Sequence, residues 1–268
     1  MFDSYNRDIT YLRISVTDRC NLRCLYCMPE EGVTLKRHDE ILSYEKIATI
    51  VQAAAGLGIN KVRLTGGEPL VRKGVVHLIR ELKKIAGIQE VTLTTNGILL
   101  TDMAETLLAE GLDRLNISLD TLDPEKYRQV TRGGDITAVL RGIDTARRVG
   151  FQRIKINMVL LTGFNEEEVP LMQRFCLANG LELQRIRRYR LNDSVNGFSA
   201  IAAERPSSCR LCNRIRLTAD GRLKPCLFNN SEYPVDFADL SGCIERAIRA
   251  KPAHGILCSN RGNWQIGG

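Results

Sequence analysis

The sequence is poor in histidine, with three among 268 residues, and it has no long apolar run. No stretch approaches the ~18 consecutive apolar residues of a helical membrane span, so an integral membrane protein of that kind is excluded. The opening segment, MFDSYNRDITYLRIS, has no basic flank ahead of a hydrophobic stretch. No secretory signal is therefore expected, and the expected compartment is the cytoplasm. His77 and His254 have no partner pattern. There is no Ser-His-Asp arrangement, no phosphate-binding loop with a lysine and no helix-turn-helix signature. Sequence repeats and low-complexity segments are missing as well. With 44% hydrophobic and 26% charged residues, disorder and collagen-like repeats are out. The length suits one large domain, or one domain with an appendage.

Nine cysteines stand out. A reducing compartment disfavours structural disulfides, and an odd count suits them poorly, so spaced cysteines point to metal or catalysis. The formal charge is +7, and it is unevenly spread. Between Leu181 and Cys226 ten basic residues face four acidic ones, so +6 of the excess lies in 46 residues. Such a field attracts an anion, either nucleic acid or a phosphorylated small molecule, although a solvated arginine face gives the same composition.

Six β-rich runs alternate with helical periodicity: Tyr11–Thr17, Lys61–Thr65, Glu90–Thr94, Asp113–Leu119, Arg153–Leu160 and Leu181–Arg187. Several, such as IKINMVL, read as parallel strands covered on both faces. Ile47, Ile50, Val51 and Ala54 share one helical face, and so do Val75, Leu78, Ile79, Leu82 and Ile85. Further helices are expected over 102–110, 137–149 and from Asn165 to Gly180, with Glu166, Glu167 and Glu168 in the first turn of the last. Six β-α units in a row imply a parallel sheet, either open and doubly wound or a partial barrel. After Arg190 the pattern breaks. Residues 191–268 read as a C-terminal cysteine-rich appendage to a unit spanning 1–190, with one short helix over 240–250.

Three constellations carry chemistry. Cys20, Cys24 and Cys27 stand four and three residues apart in the loop after the first strand. Iron–sulfur cubanes take cysteine thiolates, and three ligands leave one iron open. A zinc site is the alternative, with His38 the only histidine nearby. Gly66-Gly67-Glu68-Pro69 ends the second strand, where two glycines allow close approach to the backbone and the glutamate can accept from an ammonium. Both loops lie at the C-terminal ends of parallel strands, where such folds bind ligands. The third is Cys209, Cys212 and Cys226, a second three-thiol set. A zinc ribbon completed by Cys243 or Cys258 is the alternative there. Arg214 and Arg216 follow on alternate residues, so in a strand they share a face, which suits an anionic ligand. Cys176 reads as a core thiol.

The CxxxCxxC and GGEP motifs resemble the radical S-adenosylmethionine superfamily. The fuller strings SVTDRCNLRCLYCMP, RLTGGEPL, LTTNG and NISLD, with the C-terminal CxxCNRIRLTADGRLKPCLF and the closing Ile266-Gly267-Gly268, resemble its GTP 3′,8-cyclase branch, which opens molybdenum cofactor biosynthesis. The resemblance covers nearly the whole chain. It implies a six-unit partial β/α barrel and two [4Fe–4S] clusters facing each other across the barrel mouth. One would sit on Cys20, Cys24 and Cys27, the other on Cys209, Cys212 and Cys226. It further implies that Tyr26, Gly66, Gly67, Glu68 and Ser118 contact S-adenosylmethionine. Arg13, Arg63, Thr94, Lys155, Arg214, Ile215 and Arg216 would contact GTP. In that chemistry a 5′-deoxyadenosyl radical takes the ribose 3′ hydrogen, and the ribose radical attacks C8 of guanine. The implied partners are an electron donor, a second copy of the chain in a homodimer, and cyclic pyranopterin monophosphate synthase, which takes the product. Neither membrane nor nucleic acid is among them.

The chain departs from the branch in two ways. The stretch between the sixth strand and Cys209 is shorter by some tens of residues. The usual Arg-Phe-Ile-Glu reads here as Gln184-Arg185-Ile186-Arg187, with Tyr189 at a usual methionine. Arg185 is a candidate substitute for the missing contact. These departures motivate a rival reading, a related radical enzyme acting on a different anionic substrate. A zinc-stabilised nucleic-acid-binding protein is the rival outside enzymes.

Overall fold

The structure is a computed structural model, and it describes residues 1–187 and 209–266. Tyr189, Gly267 and Gly268 lie outside these residues. Strands β1 (Tyr11–Ser15), β2 (Lys61–Thr65), β3 (Glu90–Thr95), β4 (Arg114–Ser118), β5 (Ile154–Leu160) and β6 (Glu182–Arg187) fall within two residues of the expected runs. Helices α1 (Tyr44–Gly56), α2 (Val75–Lys84), α3 (Leu100–Ala109), α4 (Pro124–Thr131), α5 (Ile136–Arg148) and α6 (Val169–Ala178) connect or follow them. Their ends obey capping chemistry. The Ser43 hydroxyl accepts from Lys46 N and the Asp135 carboxylate from Thr137 N, while Arg147 and Arg148 occupy the last turn of α5. Glu166, Glu167 and Glu168 form a separate 3-10 turn, and α6 begins after it, with Pro170 in its first turn.

Strands β1 to β6 add to the sheet one beside the next, all parallel. A doubly wound sheet reverses its strand order part-way, and this one does not. Right-handed crossovers then place the helices on one face, and the sheet curls around the other as a partial barrel. This also explains why β5 departs from the reading of its sequence. Ile154, Ile156 and Met158 are buried while Lys155 and Asn157 are half-buried. Only one face meets helices; the other faces the hollow of the barrel.

The C-terminal region continues the same sheet. Strand β7 (Arg214–Leu217) pairs parallel with β1 on the edge away from β2, and β8 (Arg222–Lys224) and β9 (Tyr233–Pro234) follow antiparallel. Helix α7 (Leu240–Arg249) buries Cys243, Ile244, Ala247 and Ile248 in the core that also holds Leu12 and Ile14. A short helix α8 (Asn263–Ile266) ends the described chain. No helix among the described residues is long and apolar enough to cross a membrane.

Candidate active site

The loop after β1 carries Cys20, Cys24 and Cys27, and two neighbours fix it. On one side Gly67 N donates to Thr17 O at 2.8 Å and Glu68 N to Arg19 O at 2.7 Å. The two glycines serve this junction: a Cβ on Gly66 would stand 2.6 Å from Thr17 O, and one on Gly67 2.2 Å from Arg19 O. What approaches their backbone so closely is the cysteine loop itself. On the other side Arg23 N donates to Thr131 O and Leu25 N to Val130 O, both in α4, and Arg132 Nη1 donates to Met28 O at 2.9 Å. Helix α4 was not legible beforehand because its eight residues offer only Tyr127 and Val130 as apolar repeats. Asp123, which accepts from Glu125 N and Lys126 N, and Pro124 were its signal.

The three cysteines line a cleft of about 1020 Å³ at the C-terminal ends of the strands. Tyr26, Gly66, Gly67, Glu68, Thr94 and Ser118 line it as well. Burial makes the thiols resist ionisation. Burial, then the neighbouring Cys20, pushes Cys27 up to about 12, and burial also raises Cys20 and Cys24. Among the described residues no three ligand-type side chains close on a single point as one metal ion would require. Three half-buried thiols around one cleft instead fit a cluster, which would offer each thiolate an iron and offset its charge.

Glu68 is held from three sides. Its carboxylate accepts from Leu70 N at 3.0 Å, Thr95 Oγ1 at 2.9 Å and Asn96 N at 2.6 Å. Burial outweighs these bonds and raises its carboxyl to about 7. Tyr26 Oη donates to Asp120 Oδ2 at 2.6 Å, and Asp120 Oδ1 accepts from Val159 N at 2.8 Å. Asp120, buried and raised to about 6, was missed beforehand; it closes the NISLD string. Asn157 and Asn263 also line the cleft, each with an amide oxygen that is buried and without a hydrogen-bond partner among the described residues. On β6 the lining residues are Ile186 and Arg187, not Arg185.

Below the cleft the hollow face of the sheet is cationic. Register places Arg216, Arg13, Arg63 and Thr92 side by side, with Arg114 next in the row. Tyr11 sits under this row. The Arg13, Arg63 and Lys61 cations lie 5.4, 5.5 and 5.6 Å from its ring centroid. Burial, together with the nearby Arg13, Arg114 and Arg214, brings Arg63 down to about 10, despite help from Tyr11. A guanidinium weakened in this way is a standing demand for an anion. Lys155 reaches Glu182 at 3.2 Å, and Arg114 shares that carboxylate at 2.9 Å. Ile215 points the other way, into the core, so any contact it makes with a ligand in the hollow passes through its backbone.

Cys209 and Cys212 precede β7, and β7 runs parallel to β1. Cys226 follows β8, which runs back. The second triad therefore lies at the N-terminal ends of the strands and the first at their C-terminal ends. The two do not face each other across one mouth: a five-residue strand, about 17 Å long, separates them, and the arginine row lies between. Gly255 gives the second triad room, because a Cβ there would stand 2.8 Å from Cys226 Sγ. Burial alone would raise the Cys212 thiol, but Lys251 and Arg214 bring it down to about 7. This environment favours thiolate and so fits a cluster as well.

Residues 14–176 match the Radical SAM superfamily, and residues 170–252 match Molybdenum Cofactor Synthesis C. The chain is 40% identical to a GTP 3′,8-cyclase of Alkaliphilus oremlandii over the whole of both chains. It is 41% identical to one of Peptoclostridium acidaminophilum, over 94% of this chain and 92% of that one. The first alignment runs over 322 positions against 268 residues here, so that relative has stretches without a counterpart in this chain. Among solved structures, Streptococcus suis SuiB bound to S-adenosylmethionine shares the fold at 18% identity, with a TM-score of 0.66 over 89% of this chain and 68% of that one. Two matched family regions and full-length relatives place the chain in the radical S-adenosylmethionine superfamily, within the family of the GTP 3′,8-cyclases.

Proposed function

We propose that this protein converts GTP to its 3′,8-cyclised form in the first step of molybdenum cofactor biosynthesis, with S-adenosylmethionine as cosubstrate. The observation that carries the reading is the arginine row set between two thiol triads. A triphosphate is a multiply charged anion, and Arg13, Arg63, Arg214 and Arg216 supply planar donors for it on one face. Lys155 would join them by exchanging Glu182 for phosphate oxygen. Thr94, at the upper edge of this face and on the cleft wall, suits a contact near the ribose.

We assign Cys20, Cys24 and Cys27 to one [4Fe–4S] cluster and Cys209, Cys212 and Cys226 to a second. The first, when bound, supplies the electron that cleaves S-adenosylmethionine. Around it Glu68 offers carboxylate oxygens, and Gly66, Gly67 and Ser118 form wall. Tyr26 is fixed by Asp120. Buried, close-packed side chains exclude water from a reactive carbon centre. The unit over 1–190 would carry the first cosubstrate and the region over 191–268 the guanine end of GTP. An external electron donor, a homodimeric state in the cytoplasm and transfer of product to cyclic pyranopterin monophosphate synthase complete the reading.

Anaerobic reconstitution with iron and sulfide, then reductant, S-adenosylmethionine and GTP, tests it. Mass spectrometry should find 5′-deoxyadenosine and cyclised GTP together. If 5′-deoxyadenosine forms while GTP stays unchanged, the substrate is another anion and the assignment falls.

A further inference from the structure

Lys251 is 2% exposed, an unusual position for a lysine, and it lies just beyond α7. The chain holds it firmly. Its own N–H donates to Ile248 O at 3.1 Å. The next two carbonyls, Pro252 O and Ala253 O, accept from the Arg7 guanidinium at 2.8 and 3.3 Å. Arg7 also donates to Cys209 O at 2.8 Å and is braced by Asp3 at 2.6 Å. The ammonium is therefore presented at a fixed point beside the second triad.

Two of its three protons are accounted for by Arg214 O at 2.8 Å and Pro225 O at 2.9 Å. These are the carbonyls two residues after Cys212 and one before Cys226. Those two carbonyls hold the ammonium within electrostatic reach of the Cys212 sulfur first and the Cys226 sulfur next. Among the described residues no carboxylate pairs with Lys251, whereas the other buried lysine, Lys224, has Glu232 at 3.2 Å. A buried ammonium without a counter-ion is costly, and among the described residues the sulfurs of the second triad are the groups placed to supply one. The first triad is set in the opposite way: Cys20 lies in the field of Glu68, and Cys24 in that of Asp120.

We propose that Lys251 is the built-in counter-ion of the Cys209–Cys212–Cys226 triad. As a positioning residue, it holds the thiolates ready for metal and makes a cluster there easier to reduce than the same cluster without it. The redox part rests on the second-cluster reading, and the test separates the two.

In protein with Cys20, Cys24 and Cys27 all changed to Ala, only the second triad can load. Iron and sulfide content, the EPR-monitored midpoint potential and thermal unfolding are compared for Lys251, Lys251→Gln and Lys251→Arg. Loaded Lys251→Gln should reduce at least about tenfold less readily, ~59 mV lower for one electron, and Lys251→Arg should recover most of that shift. An unchanged potential in fully loaded Lys251→Gln overturns the proposal. If Lys251→Gln takes up no iron, loading restored by Lys251→Arg supports the charge, and loading lost in both variants overturns it. If Lys251 protein itself loads no iron, the second-cluster reading fails. The same three proteins are then titrated with Co²⁺ and followed by thiolate charge-transfer absorption. Affinity about tenfold weaker in Lys251→Gln supports the counter-ion, and equal affinity overturns it.

Discussion

Replacing Gly67 by Ala adds one methyl group at the junction of the GGEP turn and the cysteine loop. The new Cβ would stand 2.2 Å from Arg19 O and 2.6 Å from Arg19 C, where ordinary contact begins near 3.4 Å. Backbone has to retreat by about 1.2 Å on one side or the other, because no flexible side chain is there to yield. Overpacking of this kind costs ~1–3 kcal/mol. The retreat also stretches the Glu68 N to Arg19 O and Gly67 N to Thr17 O hydrogen bonds, at ~0.5–1.5 kcal/mol each. Together the change should destabilise the cluster-free protein by about 2–6 kcal/mol, a fall in Tm of roughly 4–24 °C at ~2–4 °C per kcal/mol. It should also reduce iron uptake at the first triad, because Arg19 leads directly into Cys20. Gly56→Ala is the matched control. Nothing lies within 4 Å of its added Cβ, at the end of α1, so the same methyl should be neutral or stabilise by up to ~1 kcal/mol. Thermal unfolding of both variants, with iron and sulfide analysis after anaerobic reconstitution, reads the contrast. Gly67→Ala protein that melts within about 2 °C of the unaltered protein and binds its full iron would refute the packing argument.

Three further outcomes are expected. Burial holds Glu68 at about 7 and Asp120 at about 6, above unfolded values of ~4.3 and ~3.9. The native state therefore binds more protons than the unfolded chain between about pH 4 and 7, and stability declines as pH rises through that window. Urea unfolding of cluster-free protein should show a higher midpoint at pH 5 than at pH 8, and Glu68→Gln should narrow the gap; a gap that does not change removes Glu68 as its source. Glu182→Gln frees Lys155 and Arg114 from a half-exposed carboxylate. GTP should then bind about two- to fivefold tighter by calorimetry, the range expected of a screened ion pair, and weaker binding would show that Glu182 is no competitor. Arg261 ties the C-terminal segment to Asp220 at 2.9 Å and to Glu232 at 2.8 Å, with all three side chains mostly buried. Arg261→Met should cost ~3–5 kcal/mol by leaving two buried carboxylates without this partner. It should also speed proteolysis after Asn260, and a tail as resistant as before would place its anchor elsewhere.

Two strengths of sequence signal separate what was legible beforehand from what was not. The six strands and the first cysteine loop could be read because their determinants are local: short β-rich runs, Gly after helices, three thiols within eight residues. The strand order β1 to β6 was not legible, because six β-α units suit an open doubly wound sheet as well as a partial barrel, and only the observed pairing decides between them. The order beyond it was hidden too, because β7 joins β1 across two hundred residues of chain. That one pairing decides the chemistry of the hollow. It sets Arg216 beside Arg13 and Arg214 beside Tyr11, and it carries Cys212 to the end of the barrel opposite Cys20. Tyr11, Asp120 and Lys251 escaped notice for the same reason, since each acquires its partners only in three dimensions. The glycines teach the reverse lesson. Their sequence signal was strong, but the close approach they permit is first of all backbone to backbone, which is what brings Glu68 and the cysteine loop to one cleft.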